Sequence, residues 1–114
     1  MPFIDSKVTC KLSKEQRNHL KTKLGELIAT VPGKSESFLM IGFNDEYPLY
    51  FGGTELEKGA FIEVKIFGST SDSALETLTG QICDLYEKEL GIPAKCIYVK
   101  YEFVTHWGWN GHNF

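Results

Sequence analysis

The sequence contains the same arrangement twice: an extended apolar segment, an amphipathic helix and a second extended segment. The two copies span about 2–50 and 60–114, and a repeat of this length with only two copies is not a solenoid. Because β-α-β crossovers are right-handed, both helices are expected on one face of a four-stranded mixed sheet. The pattern predicts a single α+β domain over residues 1–114, with two layers and the element order βαββαβ.

The first copy begins with a strand at about 3–8, and the proline at position 2 is tolerated because it stands at the strand's start. Ser13 and Gln16 have the spacing of a capping box, and apolar residues follow with helical period. These residues are Leu20, Leu24, Leu27, Ile28 and Val31. Pro32-Gly33 ends the helix. The apolar run 38–43 then predicts a strand that is buried on both faces.

The second copy has strands at 60–67 and 96–103. Ser73 and Glu76 predict the capping box of the helix between them. One face of that helix is apolar, and it comprises Leu75, Leu78, Ile82, Leu85 and Leu90. Gly91 stands where a helix commonly ends in the left-handed conformation.

The two faces of strand 60–67 differ in character. Ile62, Val64 and Ile66 form an apolar face that suits contact with the helices. The opposite face alternates rings with charges, and it comprises Phe61, Glu63, Lys65 and Phe67. Such a face is too apolar for bulk water and too polar for a dry core. We therefore expect a homo-oligomer whose sheets face one another around a wet interior.

The carboxyl-terminal segment supports self-association. Asn110-Gly111 is a strong signal for a two-residue hairpin turn. Trp107, Trp109 and Phe114 surround this turn and need a partner surface. The sequence predicts short hairpin strands at a subunit interface.

Composition excludes several classes of function. The net charge is −3 and Arg17 is the single arginine, so neither a basic stripe nor an arginine fork for nucleic acid is available. No segment approaches the roughly 20 apolar residues of a membrane helix, and no signal peptide is apparent. Cys10, Cys83 and Cys96 lack metal-ligand spacing and are expected as reduced thiols. We expect a cytoplasmic protein without a metal or cofactor.

Proline at position 2 is the most informative candidate for chemistry. Methionine is normally removed before a residue this small, and removal of Met1 would leave a secondary amine at the start of the first strand. The alternative interpretation is a proline that only begins a strand. The proline taken alone favours that alternative.

Five short motifs extend the case along the whole chain, and together they resemble the macrophage migration inhibitory factor family. The motifs are Pro2-Phe3-Ile4, Pro32-Gly33-Lys34, Phe51-Gly52-Gly53, Ile97-Tyr98-Val99 and Gly108-Trp109-Asn110-Gly111. The resemblance implies a βαββαβ protomer, a homotrimer and a tautomerase site at each subunit interface. It also implies keto-enol activity on small aromatic or α-keto acids of the phenylpyruvate or dopachrome type.

The resemblance assigns roles to individual residues. Pro2 matches the catalytic base, and Lys34 matches a lysine that binds substrate. The remaining substrate-binding positions are Phe3, Phe38, Phe67, Tyr98, Lys100, Trp109 and Phe114. Lys65, Lys100 and Trp107 depart from mammalian members, which carry histidine, asparagine and a smaller aliphatic residue at these positions. Three lysines near one amine would favour acidic substrates.

Elementary electrostatics explains how such an amine could act. A general base works best with a pKa near ambient pH, whereas an α-amino group ordinarily titrates at about 7.7 to 8.0 and a secondary amine somewhat higher. The ammonium of Lys34 and burial among rings would both lower the pKa of the Pro2 amine. Lys34 would also hold a carboxylate or enolate oxygen of the substrate.

Two other functions compete with the enzyme. One is a cytokine-like protein, secreted without a signal peptide, that binds a host cell-surface receptor and whose tautomerase pocket is vestigial. The other is a structural ferredoxin-like domain, which predicts a monomer and an ordinary amine.

Overall fold

Alternation of apolar residues on the strands and helical periodicity between them produce a two-layer fold. The computed structural model describes residues 1–114. Its helices are α1 (Lys14–Leu27) and α2 (Asp72–Leu90). Its long strands are β1 (Pro2–Val8), β2 (Met40–Asn44), β5 (Ala60–Phe67) and β6 (Ile97–Val104), and its short strands are β3 (Tyr50–Phe51), β4 (Thr54–Glu55), β7 (Gly108–Trp109) and β8 (His112–Asn113).

The four long strands form one mixed sheet in the order β2-β1-β5-β6. β1 pairs with β2 in parallel, β5 pairs with β6 in parallel, and the central pair β1 and β5 is antiparallel. Each parallel pair is joined through a helix. The predicted order βαββαβ and the mixed four-stranded sheet are confirmed.

The core lies between the sheet and the helices. Ile62, Val64 and Ile66 are fully buried there, as predicted. Buried residues of the helical layer pack on them, among which are Leu20, Leu24, Ile28, Leu78 and Ile82. One polar pair crosses this core, in which Ser6 Oγ and Tyr86 Oη lie 2.5 Å apart. No helix combines the length and apolar character needed to cross a membrane.

The two helices differ in how well their starts could be predicted. At α1, Ser13 Oγ accepts from the Gln16 amide and Gln16 Oε1 accepts from the Ser13 amide, which confirms the capping box. At α2 the prediction of Ser73 and Glu76 is wrong. Ser71 caps the helix, because its backbone is extended and its Oγ accepts from the Ala74 amide at 3.2 Å. Ser73 already lies in the first turn.

The apolar run 38–43 also needs correction. The strand covers Met40–Asn44, and Phe38 belongs to a 3₁₀ turn before it. Its predicted burial on both faces is wrong for the single chain, since β2 is an edge strand and Met40 is 70% exposed. The apolar run 38–43 therefore lies at a sheet edge that no other part of the chain covers.

The carboxyl-terminal hairpin forms as predicted. Asn110 and Gly111 both have positive φ, 53° and 82°, as a type I′ turn requires. The Phe114 amide donates to the Trp107 carbonyl at 3.0 Å, which closes the segment behind the turn. The structure thus returns the end of the chain toward its beginning.

Candidate active site

The amino terminus enters the sheet at the end of a central strand. Pro2 is buried and lies opposite Ile66 of the antiparallel partner. Phe3 lies between Met40 on one side and Lys65 on the other, and it faces away from the helices. Strand pairing on both sides therefore holds the first residues of the chain in place.

Met1 occupies the space directly in front of Pro2. Its carbonyl oxygen accepts a hydrogen bond from the Phe67 amide at 2.9 Å. Burial lowers the pKa of the Met1 amino group below its ordinary value, and the charge and hydrogen bonding of Lys34 lower it further. The surroundings of the Met1 amine therefore favour its neutral form.

Lys34 is held against the end of β5. Its Nζ donates to the carbonyl oxygen of Phe67 at 3.0 Å. The tight turn before it depends on Gly33, whose φ of 79° is left-handed, and the Lys34 amide donates to the Val31 carbonyl. The loop that follows α1 thereby brings an ammonium group to the amino terminus.

A cavity of about 740 Å³ opens beside Met1 and Pro2. It is lined by Met1, Pro2, Phe3, Ser37, Phe38, Leu39, Met40, Lys65, Val104, His106, Trp107, Gly108 and Trp109. Most of this lining is apolar, as is common for a site that takes a small organic molecule.

Aromatic rings build one wall of the cavity and the surface next to it. Phe38 and Trp109 meet edge to face with ring centroids 5.8 Å apart. Phe114 stacks on Trp109 at 6.4 Å and contacts Phe67 at 5.4 Å. The hairpin therefore brings Trp109 and Phe114 to the same end of the sheet as Pro2.

Tyr98 and Lys100 do not lie at this cavity within one chain. Tyr98 pairs with Phe61, which is five positions along β5 from the partner of Pro2, a separation of roughly 17 Å at about 3.3 Å per residue. Its ring packs against Phe51 at 5.3 Å. The Lys100 ammonium is paired with Glu102 at 2.9 Å. Both side chains could reach a Pro2 amine only from another copy of the chain.

Within one chain, the three lysines expected near one amine do not lie together. Lys34 acts on the amino terminus, and Lys65 lines the cavity. Lys100 lies level with Glu63, three positions along β5 from the partner of Pro2. The distance of Lys100 from Pro2 is set by the register between strands, which cannot be read from the sequence.

Several lining residues were not singled out from the sequence. Met40 and Val104 look like ordinary strand residues, and His106 follows β6 without any motif. The one usable signal was Met40, since a methionine in an apolar run on an edge strand has no cover from its own sheet. Val104 and His106 lie at the cavity because β6 ends at the sheet edge where β1 begins.

Comparison with known proteins gives one consistent result. The model of the family described as Macrophage migration inhibitory factor (MIF) matches residues 1–114. The structure resembles MIF2 of Leishmania major, with 36% identity, a TM-score of 0.92, and coverage of 100% of this chain and 97% of that one. A homologue from Prochlorococcus marinus has 31% identity, a TM-score of 0.81, and 98% of both chains covered.

More distant structures share the fold. The protein from Toxoplasma gondii has 22% identity and a TM-score of 0.89, with 98% of this chain and 99% of that chain covered. At that identity the likeness concerns the fold alone. A comparison with curated protein sequences found no match.

Proposed function

The chain belongs to the macrophage migration inhibitory factor family, and from its site we propose that it is a keto-enol tautomerase of the phenylpyruvate type. Pro2 would act as general base after removal of Met1. The observation that carries this proposal is that burial and Lys34 lower the pKa of the Met1 amine at the edge of an aromatic cavity, and the Pro2 amine would stand one residue further along in the same surroundings.

The proposed reaction moves one proton and needs no oxidant. The neutral Pro2 nitrogen takes a proton from the carbon next to the ketone of a 2-oxo acid. The C–H electron pair becomes the new C=C bond, and the carbonyl electron pair moves to oxygen. Pro2 then returns the proton to that oxygen, which yields the enol and regenerates the neutral amine.

The contacts of Met1 support roles for two further groups. Its carbonyl oxygen accepts from the Phe67 amide, which becomes free for an oxygen of the substrate once Met1 is removed. Lys34 lies next to this amide and supplies a charged donor for a carboxylate or an enolate oxygen. Together they would stabilise the negative charge that develops as the proton leaves.

We also propose that the working unit is a homotrimer. Large apolar side chains are exposed at the two opposite edges of the sheet: Phe38 at 53% and Met40 at 70% near the cavity, and Tyr50 at 67% and Tyr98 at 58% at the far end. Contact between unlike edges of neighbouring copies would cover both surfaces. It would also bring Tyr98 of one copy to the cavity of the next.

The decisive experiment follows phenylpyruvate enolisation by a chain whose intact mass shows that Met1 is removed. Pro2→Gly should lower kcat/KM by about 10²-fold, within the range of general-base catalysis. The exposed Pro48→Ala is the matched control and should keep the wild-type rate. Equal rates for wild type and Pro2→Gly, or no turnover by correctly processed wild type, would contradict the proposal.

Sedimentation tests the assembly separately. A homotrimer should sediment with three times the mass of one chain. A single species of 12.9 kDa would contradict the trimer and favour an isolated domain. Tyr98→Ala in a chain that remains trimeric should raise KM, because the substitution acts at a neighbouring cavity.

A further inference from the structure

We propose that Lys65 selects substrates with a second anionic group, so that the preferred substrate is an unsaturated or aromatic 2-oxo acid carrying a second carboxylate. This inference rests on the proposed tautomerase function and narrows it to a substrate class. It is carried by the position of Lys65, by its unused donors and by the charges of the cavity lining.

Lys65 reaches the cavity from the sheet face that the helices leave uncovered. It lies opposite Phe3 in the antiparallel pair, and its Nζ is 5.7 Å from the centre of the Phe3 ring. It lines the same cavity as Pro2. The ammonium of Lys65 and the ring of Phe3 lie side by side in the cavity wall. A planar carboxylic acid could stack on the ring and place its carboxylate at the lysine.

The ammonium of Lys65 is oriented but not saturated. Glu63 Oε2 lies 3.6 Å from it, which is an ion pair without a hydrogen bond. The other oxygen of Glu63 accepts from Lys7 at 3.1 Å, so this carboxylate is shared between two lysines. Lys65 therefore retains its donors for a ligand.

The charged side chain that faces the cavity is a cation. Its 13 lining residues include Lys65 but no aspartate or glutamate. The whole chain nevertheless carries a net charge of −3. A dianion should gain more than a monoanion from entering such a cavity.

Two cations lie near the end of β5. The Nζ of Lys34 contacts the main chain of Phe67, and Lys65 lies two residues earlier on the strand, a backbone separation of roughly 7 Å at about 3.3 Å per residue. Phe38 and Trp109 wall the cavity between helix and hairpin. A carboxylate at each end of an unsaturated spacer fits this arrangement.

The test compares phenylpyruvate with (4-carboxyphenyl)pyruvate, which differ by one carboxylate, on the trimeric chain without Met1. Wild type should show a kcat/KM about tenfold higher for the dianion, as one hydrogen bond to a charged group allows. Lys65→Gln should bring that ratio to about one, and Lys65→Arg should restore part of it. Lys88→Gln, on the exposed side of α2, is the control for net charge and should leave the ratio unchanged.

A binding measurement separates this inference from the proposed activity. Quenching of tryptophan fluorescence by 4-carboxyphenylacetate and by phenylacetate reports occupancy without turnover, since Trp107 and Trp109 line the cavity. If neither pyruvate is enolised but the dianion binds about tenfold more tightly in a Lys65-dependent way, the tautomerase proposal fails and the subsite stands. The subsite proposal is overturned if wild type binds the dianion and the monoanion equally tightly. It is also overturned if Lys65→Gln keeps the preference for the dianion.

Discussion

The side chain of Lys34 donates a hydrogen bond to the carbonyl oxygen of Phe67, whose own amide donates to the first residue of the chain. These two bonds place a cation and an amide donor around one amine. They connect the loop after α1 with the end of β5 at the candidate active site.

Lys34→Ala should raise the pKa of the catalytic amine. For the Met1 amine at this position burial is the largest cause of the lowered pKa and Lys34 the next; because burial persists in the variant, we expect the pKa of the Pro2 amine to rise only part of the way to its ordinary value. The acidic limb of the kcat/KM profile then moves to higher pH, because the base becomes neutral only at higher pH. We expect a loss of kcat/KM of about 10-fold or more at neutral pH from the missing charged donor. Lys34→Arg is the control, and a limb that stays in place in Lys34→Ala would contradict the electrostatic account.

Gly111→Val should damage the aromatic wall without touching the amine. Gly111 has a φ of 82°, which a β-branched residue adopts only with strain, and the turn it forms carries Trp109. We expect KM for phenylpyruvate to rise severalfold while kcat changes little. Steady-state kinetics measures this split, and a fall confined to kcat would show that the hairpin serves the chemical step instead.

Ser71→Ala should destabilise the protein by about 1 kcal/mol, whereas Ser73→Ala should cost little. Ser71 accepts the hydrogen bond of the Ala74 amide, and Ser73 follows it within the first turn of α2. Chemical denaturation of both variants provides the comparison. A larger loss in Ser73→Ala would reverse the capping assignment.

Alanine at two glycines should have opposite effects. Gly80 lies in α2 with open space around it, so Gly80→Ala should stabilise by about 0.5 to 1 kcal/mol. Gly91 ends α2 with a φ of 67°, so Gly91→Ala should destabilise by about 1 kcal/mol. The two free energies of unfolding are measured under identical conditions. Changes of the same sign would contradict this account of the helix end.

The free energy of unfolding should fall between pH 10 and 12 because of Tyr86. Burial raises the pKa of its phenol to about 12, and Ser6 hydrogen-bonds the hydroxyl. A raised pKa in the folded state gives stability that is complete below the unfolded value and is lost as pH rises toward 12, here roughly 3 kcal/mol.

The control for Tyr86 is the double variant Ser6→Ala/Tyr86→Phe, which leaves no buried hydroxyl unpaired. Alkaline denaturation curves of this variant should lack the Tyr86 contribution. The pKa values of Tyr50 and Tyr101 are also raised, and these tyrosines remain in both chains, so the difference between the curves isolates Tyr86. Parallel curves would contradict the assignment.

Much of the fold followed from local patterns. The capping box at Ser13, the alternation in strand 60–67 and the turn at Asn110-Gly111 are each determined by neighbours in sequence. Ser73 has a glutamate three residues later, as a capping box requires, yet the residue that caps α2 is Ser71. Local motifs therefore predicted which helices and strands form more accurately than they predicted where each one begins and ends.

The candidate site was only partly accessible from sequence. Pro2 and Lys34 could be paired through resemblance, and the structure places them at one amino terminus. The separation of Tyr98 and Lys100 from Pro2 depends on the register of β5 against both of its neighbours. The apolar run at β2 was expected to be buried, but β2 is an edge strand and the single chain has no element that covers that edge.

The two ends of the chain lie near each other, and Met1 lines the cavity. Met1 accepts a hydrogen bond from Phe67, and Phe114 packs against Phe67 and Trp109. An affinity tag on the amino end would therefore convert the proposed catalytic amine into an amide, and a fusion on the carboxyl end would disturb the packing of Phe114 on Trp109. A fluorophore or an immobilisation handle belongs on the helical layer, for example at the exposed Lys21 of α1.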